Sequence, residues 1–377
     1  MGRYLGYFKF NELEKFEMEQ NKKLIYDITD FKYSREITKR IPYPFFSLNK
    51  ITGGAEIGGL VILFAKTNQG KSELALSFVS HWVQNDEKVV AMFGEHTMRK
   101  AQGLLYKKVS KYDKDKWITK SYGKDKEGKE LGIYESFIGE EDEKNAIDVF
   151  KGNLFLYDTR NGFSFNTIVK AFAEGKSKGC SISLLDNQMM LDMETSNELR
   201  EQTDNTEKLR QWSKQNQMVG FLIAHARKVE PGRIRLTEYD IVGSSNIANK
   251  ATTIMTLTRT DTLDPTTKEY REYAKLLELN YINIKKCDAI LEVVKEKNGT
   301  GGFVALKWFE STKTFREVYD PEMIAKKEQD RKEREARYNK ANEDVPQDKP
   351  TLFAPKIVQE NILDDMVEVD MDLQDIF

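Results

Sequence analysis

The chain has 377 residues, of which 39% are hydrophobic and 32% are charged, and its formal net charge is −2. This length suits one large domain or two ordinary ones, and the composition permits a sizeable core beneath a highly charged surface. The near-neutral charge excludes a uniformly basic nucleic-acid-binding protein. Any contact with nucleic acid must therefore come from local basic loops.

Residue usage excludes several other classes of protein. Cys180 and Cys287 lack metal-ligand spacing and predict reduced thiols, so we expect a cytoplasmic protein, in the host cytoplasm if the protein is viral. The three histidines are too scattered to predict a zinc site. No stretch predicts a membrane span and no signal peptide opens the chain, so we expect no membrane partner.

Residues 1–44 predict a charged lead-in to the main domain. Asn11 suits a helix start, and Leu13, Phe16 and Leu24 would form a narrow apolar stripe. Such a stripe would dock on the main domain or on a neighbouring subunit. A loosely packed terminal helix is an equally good interpretation.

The most informative stretch follows a run of five apolar residues, 60–64, that predicts a buried strand. It is Ala65-x-x-x-x-Gly70-Lys71-Ser72, with Ala where the usual phosphate loop has its first Gly. From Ser72 onward the apolar residues recur with a helical period. A strand, a loop and a helix in this order are the context that a phosphate loop requires. The alternative interpretation is that the residues match the phosphate-loop pattern by chance, in an ordinary loop before a core helix.

The chemistry of such a loop depends on its backbone and on a few side chains. Successive N–H groups and the helix N-terminus attract phosphate, and Gly70 lets the backbone approach it. We expect Lys71 to reach the β- and γ-phosphates of ATP and the Ser72 hydroxyl to ligate Mg²⁺. The other predicted nucleotide-binding residues of this stretch are Ala65, Thr67, Asn68, Gln69 and Glu73.

Two acidic residues follow predicted strands further along the chain. Residues 88–93 predict a second strand that ends at Gly94-Glu95, and residues 180–186 predict a later strand that ends at Asp186. Glu95 is expected to take a proton from the water that attacks the γ-phosphate, although a solvated Glu is the alternative. Asp186 is expected to hold a Mg²⁺-bound water opposite Ser72.

Between these strands, residues 99–150 predict helices around a charged surface loop at 111–129. Residues 153–158 predict a strand and residues 165–172 a helix. Residues 187–204 predict a polar loop, followed by a helix at 206–215.

A further strand, residues 218–224, leads into His225 and a basic loop. His225 is expected to contact the γ-phosphate and to sense its loss, with a hydrogen-bonded structural histidine as the alternative. The loop then combines basic side chains with small residues, which suits a phosphate backbone as well as it suits a solvated surface. Its candidate DNA-binding residues are Arg227, Lys228, Arg233, Gly243, Ser244, Ser245 and Asn246.

The remainder of the chain predicts a hairpin and a charged tail. Residues 253–258 predict a strand, 261–288 a polar insertion, and 289–295 with 303–309 a β-hairpin. Pro321 is expected to end the folded region. Residues 322–344 are then helical or disordered, and the acidic stretch 357–377 is a disordered tail that would bind a basic, apolar partner groove.

Several blocks, in this order, resemble the helicase domain of the DnaB-like hexameric replicative helicases, in the bacteriophage and Twinkle branch. The resemblance covers residues 45–320. The blocks are Phe46-Ser-Leu-Asn-Lys-Ile-Thr-Gly-Gly54, Phe93-Gly-Glu95, Leu184-Leu-Asp186, Ile223-Ala-His225, Tyr239-Asp-Ile-Val-Gly-Ser-Ser245 and Lys295-Glu-Lys297-Asn-Gly299.

The resemblance implies a RecA-like α/β fold, in which helices flank a twisted, mainly parallel sheet with a C-terminal hairpin. It also implies a homo-hexameric ring with ATP and Mg²⁺ at the subunit interfaces and single-stranded DNA in the channel. By this resemblance Glu95 is the base, His225 the sensor, and Lys295 and Lys297 reach a neighbour's ATP. The residues implied to pack the adenine are Arg259, Trp308 and Phe309.

Two departures from the family pattern bear on mechanism. Lys297 stands where members usually carry Arg, so it offers a point charge instead of a planar fork. The lead-in is too short for a primase domain, so we expect a separate primase. The acidic tail is expected to engage further replication proteins such as DNA polymerase.

The sequence therefore predicts three parts: a lead-in at 1–44, a RecA-like ATPase domain at 45–320, and a charged segment with an acidic tail at 321–377. The predicted function is an ATP-dependent replicative helicase that translocates on single-stranded DNA and unwinds duplex. A RecA-like recombinase that acts as a filament and an ATP-dependent helicase loader are the two alternatives.

Overall fold

The computed structural model describes residues 39–110, 117–124, 130–136, 138–192, 197–242, 245–297 and 299–343. The predicted apolar stripe of the lead-in, the loop residues Gly243 and Ser244, and the acidic tail lie outside these residues.

Strands and helices alternate through the first part of the described chain, as a parallel α/β fold requires. The strands are β1 (Arg40–Ile41), β2 (Ala55–Glu56), β3 (Leu60–Ala65), β4 (Val89–Phe93), β5 (Trp117–Lys124), β6 (Glu130–Ser136), β7 (Leu154–Leu156), β8 (Ile182–Asp186), β9 (Val219–His225), β10 (Thr253–Arg259), β11 (Ala289–Glu296), β12 (Gly302–Phe309) and β13 (Thr314–Glu317). The α-helices are Phe46–Thr52, Lys71–Gln84, Met98–Val109, Glu140–Phe150, Phe165–Ser177, Glu198–Asn216, Ser245–Lys250, Lys268–Leu279 and Pro321–Glu343.

The main sheet has nine strands in the order β13-β12-β11-β10-β3-β9-β8-β4-β7. The strands from β10 to β7 pair in parallel, whereas β11, β12 and β13 continue the sheet antiparallel. This arrangement confirms the predicted mainly parallel α/β sheet with a C-terminal hairpin.

Strand β3 lies inside the sheet and is buried on both faces, which explains its continuous apolar run. Val61, Leu63 and Ala65 belong to one hydrophobic cluster, and Ile62 and Phe64 to a second one on the opposite face. This division follows from the two-residue period of a strand. The sheet therefore separates two cores, each covered by helices.

The helix that follows the phosphate loop, Lys71–Gln84, packs on the first of these cores. Phe78 and Trp82 lie 5.7 Å and 5.5 Å from the Phe221 ring of β9, measured between ring centroids. On the other face a Cβ at Gly175 would lie 2.6 Å from the Val90 side chain, so this glycine allows helix Phe165–Ser177 to approach β4 closely.

Four regions differ from the predicted elements. The loop predicted at 111–129 contains strand β5, which pairs antiparallel with β6 directly after the predicted loop. The predicted polar loop at 187–204 gives way to helix at Glu198, because Asn197 caps a helix whose first turns lack an apolar period. Helix Lys268–Leu279 lies within the predicted insertion, and β13 adds a strand after the hairpin.

Residues 281–283 and 319–343 group into a compact unit of their own. Pro321 begins the helix Pro321–Glu343, which is the helical one of the two predicted alternatives for this segment, because the ring of a proline suits the first helical position. Within this unit Tyr281 donates a hydrogen bond from its hydroxyl to Asp330 at 2.9 Å. No helix of the described residues is long and apolar enough to cross a membrane.

Candidate active site

The phosphate loop and three predicted site residues lie at one edge of the sheet because their strands run parallel. Ala65, the last residue of β3, pairs in register with His225, the last residue of β9. Phe93 of β4 pairs with Asp186 of β8, and Glu95 follows Phe93 by two residues. The carboxyl ends of parallel strands are where open α/β sheets bind ligands. The structure thus brings Glu95, Asp186 and His225 to the phosphate loop.

The loop between β3 and its helix has a backbone that can wrap around phosphate. Gly70 has a φ of 85° and Asn68 a φ of 61°, so both adopt the left-handed region. A Cβ on Gly70 would lie 3.3 Å from the ring of Phe315, so glycine permits both the φ and the close contact. Thr67 and Asn68 are exposed, and Gln69 is half buried.

Lys71 begins the helix after this loop and is buried. Its Nζ donates to the carbonyl oxygen of Lys66 at 3.2 Å and lies 3.4 Å from His225 Nδ1. Burial lowers the pKa of Lys71, and the carboxylates of Asp186 and Glu95 oppose that shift. No side chain in the described part of the chain caps the N-terminus of the helix. Lys71 and the helix N-terminus together provide positive charge for a phosphate.

Asp186 is the buried carboxylate of the site. It is only 1% exposed, and among the described residues neither of its carboxylate oxygens has a hydrogen-bond partner of normal geometry. Burial raises the pKa of Asp186 to about 7, although the adjacent Ser72 hydroxyl lowers it. Burying a carboxylate without a hydrogen-bond partner destabilises the folded protein, unless a bound ligand supplies the missing partner.

The chemistry of this carboxylate fits Mg²⁺. Ser72 offers a hydroxyl and Asp186 a carboxylate, which are hard oxygen ligands. No three His, Cys, Asp or Glu side chains of the described residues converge on a metal position, so phosphate oxygens and water would complete the coordination. The residues present therefore suit a metal that arrives with a nucleotide.

A buried amide joins the predicted base to the predicted sensor. Asn187 follows Asp186 directly and donates from Nδ2 to Glu95 Oε1 at 2.5 Å, while the same Nδ2 lies 3.2 Å from His225 Nε2. Glu95 Oε1 itself lies 3.5 Å from His225 Nε2. Burial, and then the charge of Lys71, lower the pKa of His225, and the neighbouring Glu95 carboxylate opposes that shift.

An aromatic cluster lies beside the phosphate loop. The rings of Trp308 and Phe315 are 4.7 Å apart between centroids, and the Arg259 guanidinium lies 5.6 Å and 5.9 Å from them. The backbone N–H of Arg259 donates to Gln69 Oε1 at 2.6 Å, which ties this cluster to the loop. Such a surface of rings and a guanidinium suits a planar, electron-rich base.

Phe309, the other aromatic predicted to pack adenine, lies on the opposite face of β12. Trp308 pairs with Phe315, whereas Phe309 pairs with Thr314 and is 38% exposed under the Arg316 guanidinium. Adjacent residues of a strand point to opposite faces, so only one of the two can reach the nucleotide.

Glu73, predicted to contact the nucleotide, binds a buried lysine. Lys108 Nζ donates to Glu73 Oε2 at 3.0 Å and also to the carbonyl oxygen of Lys313. Burial lowers the pKa of Lys108 to about 8, and Glu73 opposes that shift. The lysine therefore links the helix after the phosphate loop to the turn between β12 and β13, which carry Trp308 and Phe315.

The family follows from a match to the model of the DnaB-like helicase C-terminal domain, which spans residues 41–317. The chain belongs to the DnaB-like helicase family. The match confirms the predicted family and the prediction of a replicative helicase. As a member, the protein is an NTP-hydrolysing helicase. No curated protein sequence matches the chain significantly.

Two solved structures share the fold of this DnaB-like helicase. The ATPase domain of a phage helicase is 18% identical, with a TM-score of 0.58 over 83% of this chain and 99% of that chain. A DnaB-like replicative helicase, described together with its interactions with primase, is 17% identical, with a TM-score of 0.58 over 82% of this chain and 71% of that chain. These similarities confirm the predicted RecA-like fold.

The predicted DNA loop of the helicase is organised by one buried carboxylate. Asp240 is fully buried and accepts hydrogen bonds from the backbone N–H and hydroxyl of Thr237 at 2.8 Å and 2.9 Å. It also pairs with Arg227 at 3.2 Å and with Arg233 at 2.6 Å. Lys228 is exposed. Ser245 and Asn246 begin the helix Ser245–Lys250.

Lys295 and Lys297 lie at the opposite edge of the sheet from the phosphate loop. Lys295 pairs with Ile254 near the start of β10, and its Nζ donates to the carbonyl oxygen of Ala248 at 2.7 Å. Lys297 follows β11 and is exposed. At about 3.3 Å per residue, β10 separates the two edges by roughly 20 Å. These lysines therefore cannot reach a phosphate bound to their own chain.

Sequence reasoning missed three residues that build this site: Asn187, Lys108 and Phe315. Asn187 and Lys108 carry no local signal, because their partners lie far away in the chain. Phe315 could have been found, since a strand after β12 with an aromatic opposite Trp308 follows from two-residue alternation.

Proposed function

We propose that this helicase binds ATP with Mg²⁺ at the carboxyl edge of its sheet and hydrolyses it to move along single-stranded DNA. The observation that carries the proposal is the convergence of Lys71, Asp186, Glu95 and His225 at the tips of four neighbouring elements. A buried lysine, an unpartnered buried carboxylate and a half-exposed glutamate together match the needs of phosphoryl transfer.

Each of these residues has a distinct task. Lys71 and the backbone of the phosphate loop bind the β- and γ-phosphates, and Ser72 with Asp186 holds Mg²⁺. When bound, Mg²⁺ neutralises the charge that develops on the phosphates. Glu95, which is 44% exposed at its side chain, orients a water from solvent and accepts its proton. His225 contacts the γ-phosphate beside Lys71.

The adenine is proposed to lie against the aromatic cluster of Arg259, Trp308 and Phe315. Arg259 is paired with Asp261, and its guanidinium lies within 6 Å of the centres of both rings. A base placed there would continue the stack, while Gln69 holds the phosphate loop against the same cluster.

Assembly into a ring, a homo-hexamer in our proposal, is supported by the position of Lys295 and Lys297. Because they lie at the far edge of their own sheet, they would act on ATP only from a neighbouring subunit.

Single-stranded DNA would bind Arg227, Lys228 and Arg233, with Arg227 and Arg233 oriented by Asp240. One structural relative is described with its interactions with primase, and we propose a separate primase as a partner here. DNA polymerase is proposed as a partner of the acidic tail.

The proposal is tested by ATP hydrolysis with and without single-stranded DNA. Lys71→Ala should abolish hydrolysis, because it removes the charge that binds the phosphates, and the exposed Lys170→Ala serves as the matched control. Hydrolysis at the wild-type rate in Lys71→Ala would refute the assignment of the active site.

Translocation is tested on a forked duplex, with native mass measured alongside. Strand displacement by closed six-subunit assemblies supports the helicase proposal. Open filaments that exchange strands would favour a recombinase. Activity that requires a second helicase would favour a loader.

A further inference from the structure

Lys108 is a buried lysine that no step of the proposed hydrolysis uses. Its side chain is only 1% exposed, and it lies in the last turn of helix Met98–Val109. Burying an ammonium group costs free energy unless the group is paired and hydrogen-bonded, and a methionine of similar size would fill the same space without a charge. The partners of Lys108 therefore indicate what its charge contributes.

The ammonium group of Lys108 joins two elements of the candidate active site. It donates to Glu73 Oε2 at 3.0 Å and to the carbonyl oxygen of Lys313. Glu73 follows Ser72 in the helix after the phosphate loop, and Lys313 is the last residue of the β12–β13 turn, residues 310–313. Both partners are acceptors, and an ammonium group has three hydrogens to donate, so the two contacts are compatible. Lys108 thus fixes the β12–β13 turn to the helix that begins at the phosphate loop.

The β12–β13 turn in its own right holds the indole of Trp308. The Trp308 Nε1–H donates to Glu310 Oε2 at 2.6 Å, and Lys313 pairs with the other oxygen of the same carboxylate. The Lys313 ammonium also lies 6.0 Å from the centre of the Trp308 ring. Lys313 has a φ of 53°, in the left-handed region that a lysine rarely adopts, and the hydrogen bond from Lys108 to its carbonyl stabilises this backbone. The residues that orient Trp308 therefore belong to the segment that Lys108 anchors.

The β12–β13 hairpin has a second, apolar contact with the phosphate loop. The Phe315 ring lies against Gly70, where an added Cβ would be 3.3 Å from it. A hairpin attached at one point can rotate about that point, and a second attachment removes the rotation. Loss of Lys108 should therefore change the angle of the Trp308 ring while the contact of Phe315 with the phosphate loop persists.

We propose that Lys108 is a positioning residue, which holds the Trp308 ring at the angle at which it stacks on the base of a nucleotide bound in the phosphate loop. This inference deepens the proposed function and rests on it, because it assumes that the adenine lies against Arg259, Trp308 and Phe315. Lys108 then acts on base recognition through Trp308, whereas Lys71 and the loop backbone bind the phosphates.

Two ligands separate base recognition from phosphate binding. ADP carries a base, whereas tripolyphosphate offers phosphates without a base or a ribose. The dissociation constants of both are measured by calorimetry on the full chain with Mg²⁺. Because an aromatic stacking contact is worth up to about tenfold in affinity, Lys108→Met should raise the Kd for ADP about fivefold. It should leave the Kd for tripolyphosphate within about twofold of wild type, which is a difference of less than about 0.5 kcal/mol.

Lys144→Met is the control, because it changes an exposed lysine in helix Glu140–Phe150. It should change neither Kd. Equal weakening of both ligands by Lys108→Met would show that Lys108 only supports the fold of the site, and it would overturn the inference.

A double variant shows whether Lys108 acts through Trp308. Trp308→Ala removes the ring that Lys108 is proposed to orient. Adding Lys108→Met to Trp308→Ala should therefore weaken ADP binding no further. Effects that multiply would show that the two residues act independently, which would contradict the proposed role.

A second variant keeps the test decisive if Lys108→Met alone folds poorly. Lys108→Met leaves Glu73, whose side chain is 24% exposed, without this partner. Lys108→Met combined with Glu73→Gln removes both charges of the pair, so no partly buried charge loses its partner. The combination still lacks the donor to the Lys313 carbonyl, and it should weaken ADP binding more than tripolyphosphate binding. An affinity for ADP equal to that of the wild type would overturn the inference.

The outcomes distinguish this inference from the proposed function. If Trp308→Ala weakens ADP binding and Lys108→Met does not, only the role of Lys108 is wrong. If Trp308→Ala leaves ADP binding unchanged, the proposed adenine site is wrong and the inference fails with it. Wild-type protein that hydrolyses no ATP would overturn the proposed function as a whole.

Discussion

The main sheet has an amino edge and a carboxyl edge, formed by the amino and carboxyl ends of its parallel strands. The two edges differ in whether their buried charged residues have hydrogen-bond partners within the chain. At the amino edge, Glu296 accepts a hydrogen bond from Thr253 at 2.7 Å and lies 4.0 Å from Arg40, which in turn binds Glu56 at 2.8 Å. At the carboxyl edge, Asp186 is equally buried, and its oxygens have no such partners.

The difference shows which edge is built for a ligand. Buried polar groups are normally hydrogen-bonded, and leaving one without a partner costs about 1–3 kcal/mol or more. The amino edge meets this rule within the chain. The carboxyl edge does not, and its acceptor Asp186 and donors Lys71 and His225 match the metal and the phosphate of a nucleotide. Incomplete hydrogen bonding in a dense cluster is therefore the structural sign of the site.

The largest expected effect is a loss of kcat at the carboxyl edge, and it is measured by comparing one glutamate from each edge, Glu95 and Glu296. Glu95→Gln should lower kcat by about 10²–10⁴-fold, because it removes the group that accepts the proton, while MgADP still binds. Glu296→Gln should destabilise the fold by about 1–3 kcal/mol in urea unfolding but keep kcat in the folded protein. Equal losses of kcat in both variants would contradict the distinction between the edges.

Asp186→Asn should affect stability and ligand binding in opposite directions. Burial raises the pKa of Asp186 to about 7. The stability that this residue contributes is thus fully present below its unfolded pKa near 4, and it is lost as the pH rises through 7. Asn stays neutral, so the ligand-free variant should gain about 2 kcal/mol relative to wild type between pH 5 and pH 8.

A bound nucleotide should reverse the stability advantage of Asp186→Asn over the wild type. Wild type should gain thermal stability from Mg²⁺ with ATP, and Asp186→Asn should gain little, because it cannot hold the metal. Melting temperatures at both pH values, with and without nucleotide, check both statements. A wild-type-sized shift by Mg²⁺ and ATP in the variant would exclude Asp186 as a metal residue.

Trp308 and Phe309 provide a matched pair of neighbours on opposite faces of one strand. Trp308→Ala should raise KM for ATP about tenfold, because it removes a stacking surface worth about 1 kcal/mol or slightly more. Phe309→Ala should leave KM within about twofold of wild type, because the binding free energy lost with this side chain should be small. If Phe309→Ala produced the larger effect, the adenine would have to bind on the other face of β12.

Local patterns in the sequence allowed the fold and the phosphate loop to be predicted. An apolar run, a Gly-Lys-Ser and a helical period follow one another directly, so one short segment contains the whole signal. The acids at strand ends were predictable for a related reason, since parallel strands bring their carboxyl ends together wherever the intervening helices lie.

What the sequence could not supply depends on contacts between distant segments. Asn187 becomes informative only when β4 and β9 flank β8, and Lys108 only when a turn far along the chain meets its helix. Helix Glu198–Asn216 starts in a polar run, and it is stabilised by its Asn197 cap and by burial of residues such as Thr206 and Leu209. In each case tertiary contacts, and not local propensity, decide the outcome.

The smallest expected effect concerns the basic loop, which resembles the amino edge in having its charges internally paired. Arg227 is bound to Asp240, whereas Lys228 is exposed. Lys228→Gln should weaken binding of single-stranded oligonucleotides only a few-fold and reduce the slope of log affinity against log salt by about 0.7, the value for one phosphate contact. Fluorescence anisotropy at several salt concentrations measures that slope.

Arg227→Gln should change the slope by a similar amount and also disturb the loop, because Asp240 loses a partner. Only this variant should therefore lower the melting temperature. A slope unchanged in both variants would show that the loop does not contact the phosphate backbone, and its arginines would then serve only to neutralise Asp240.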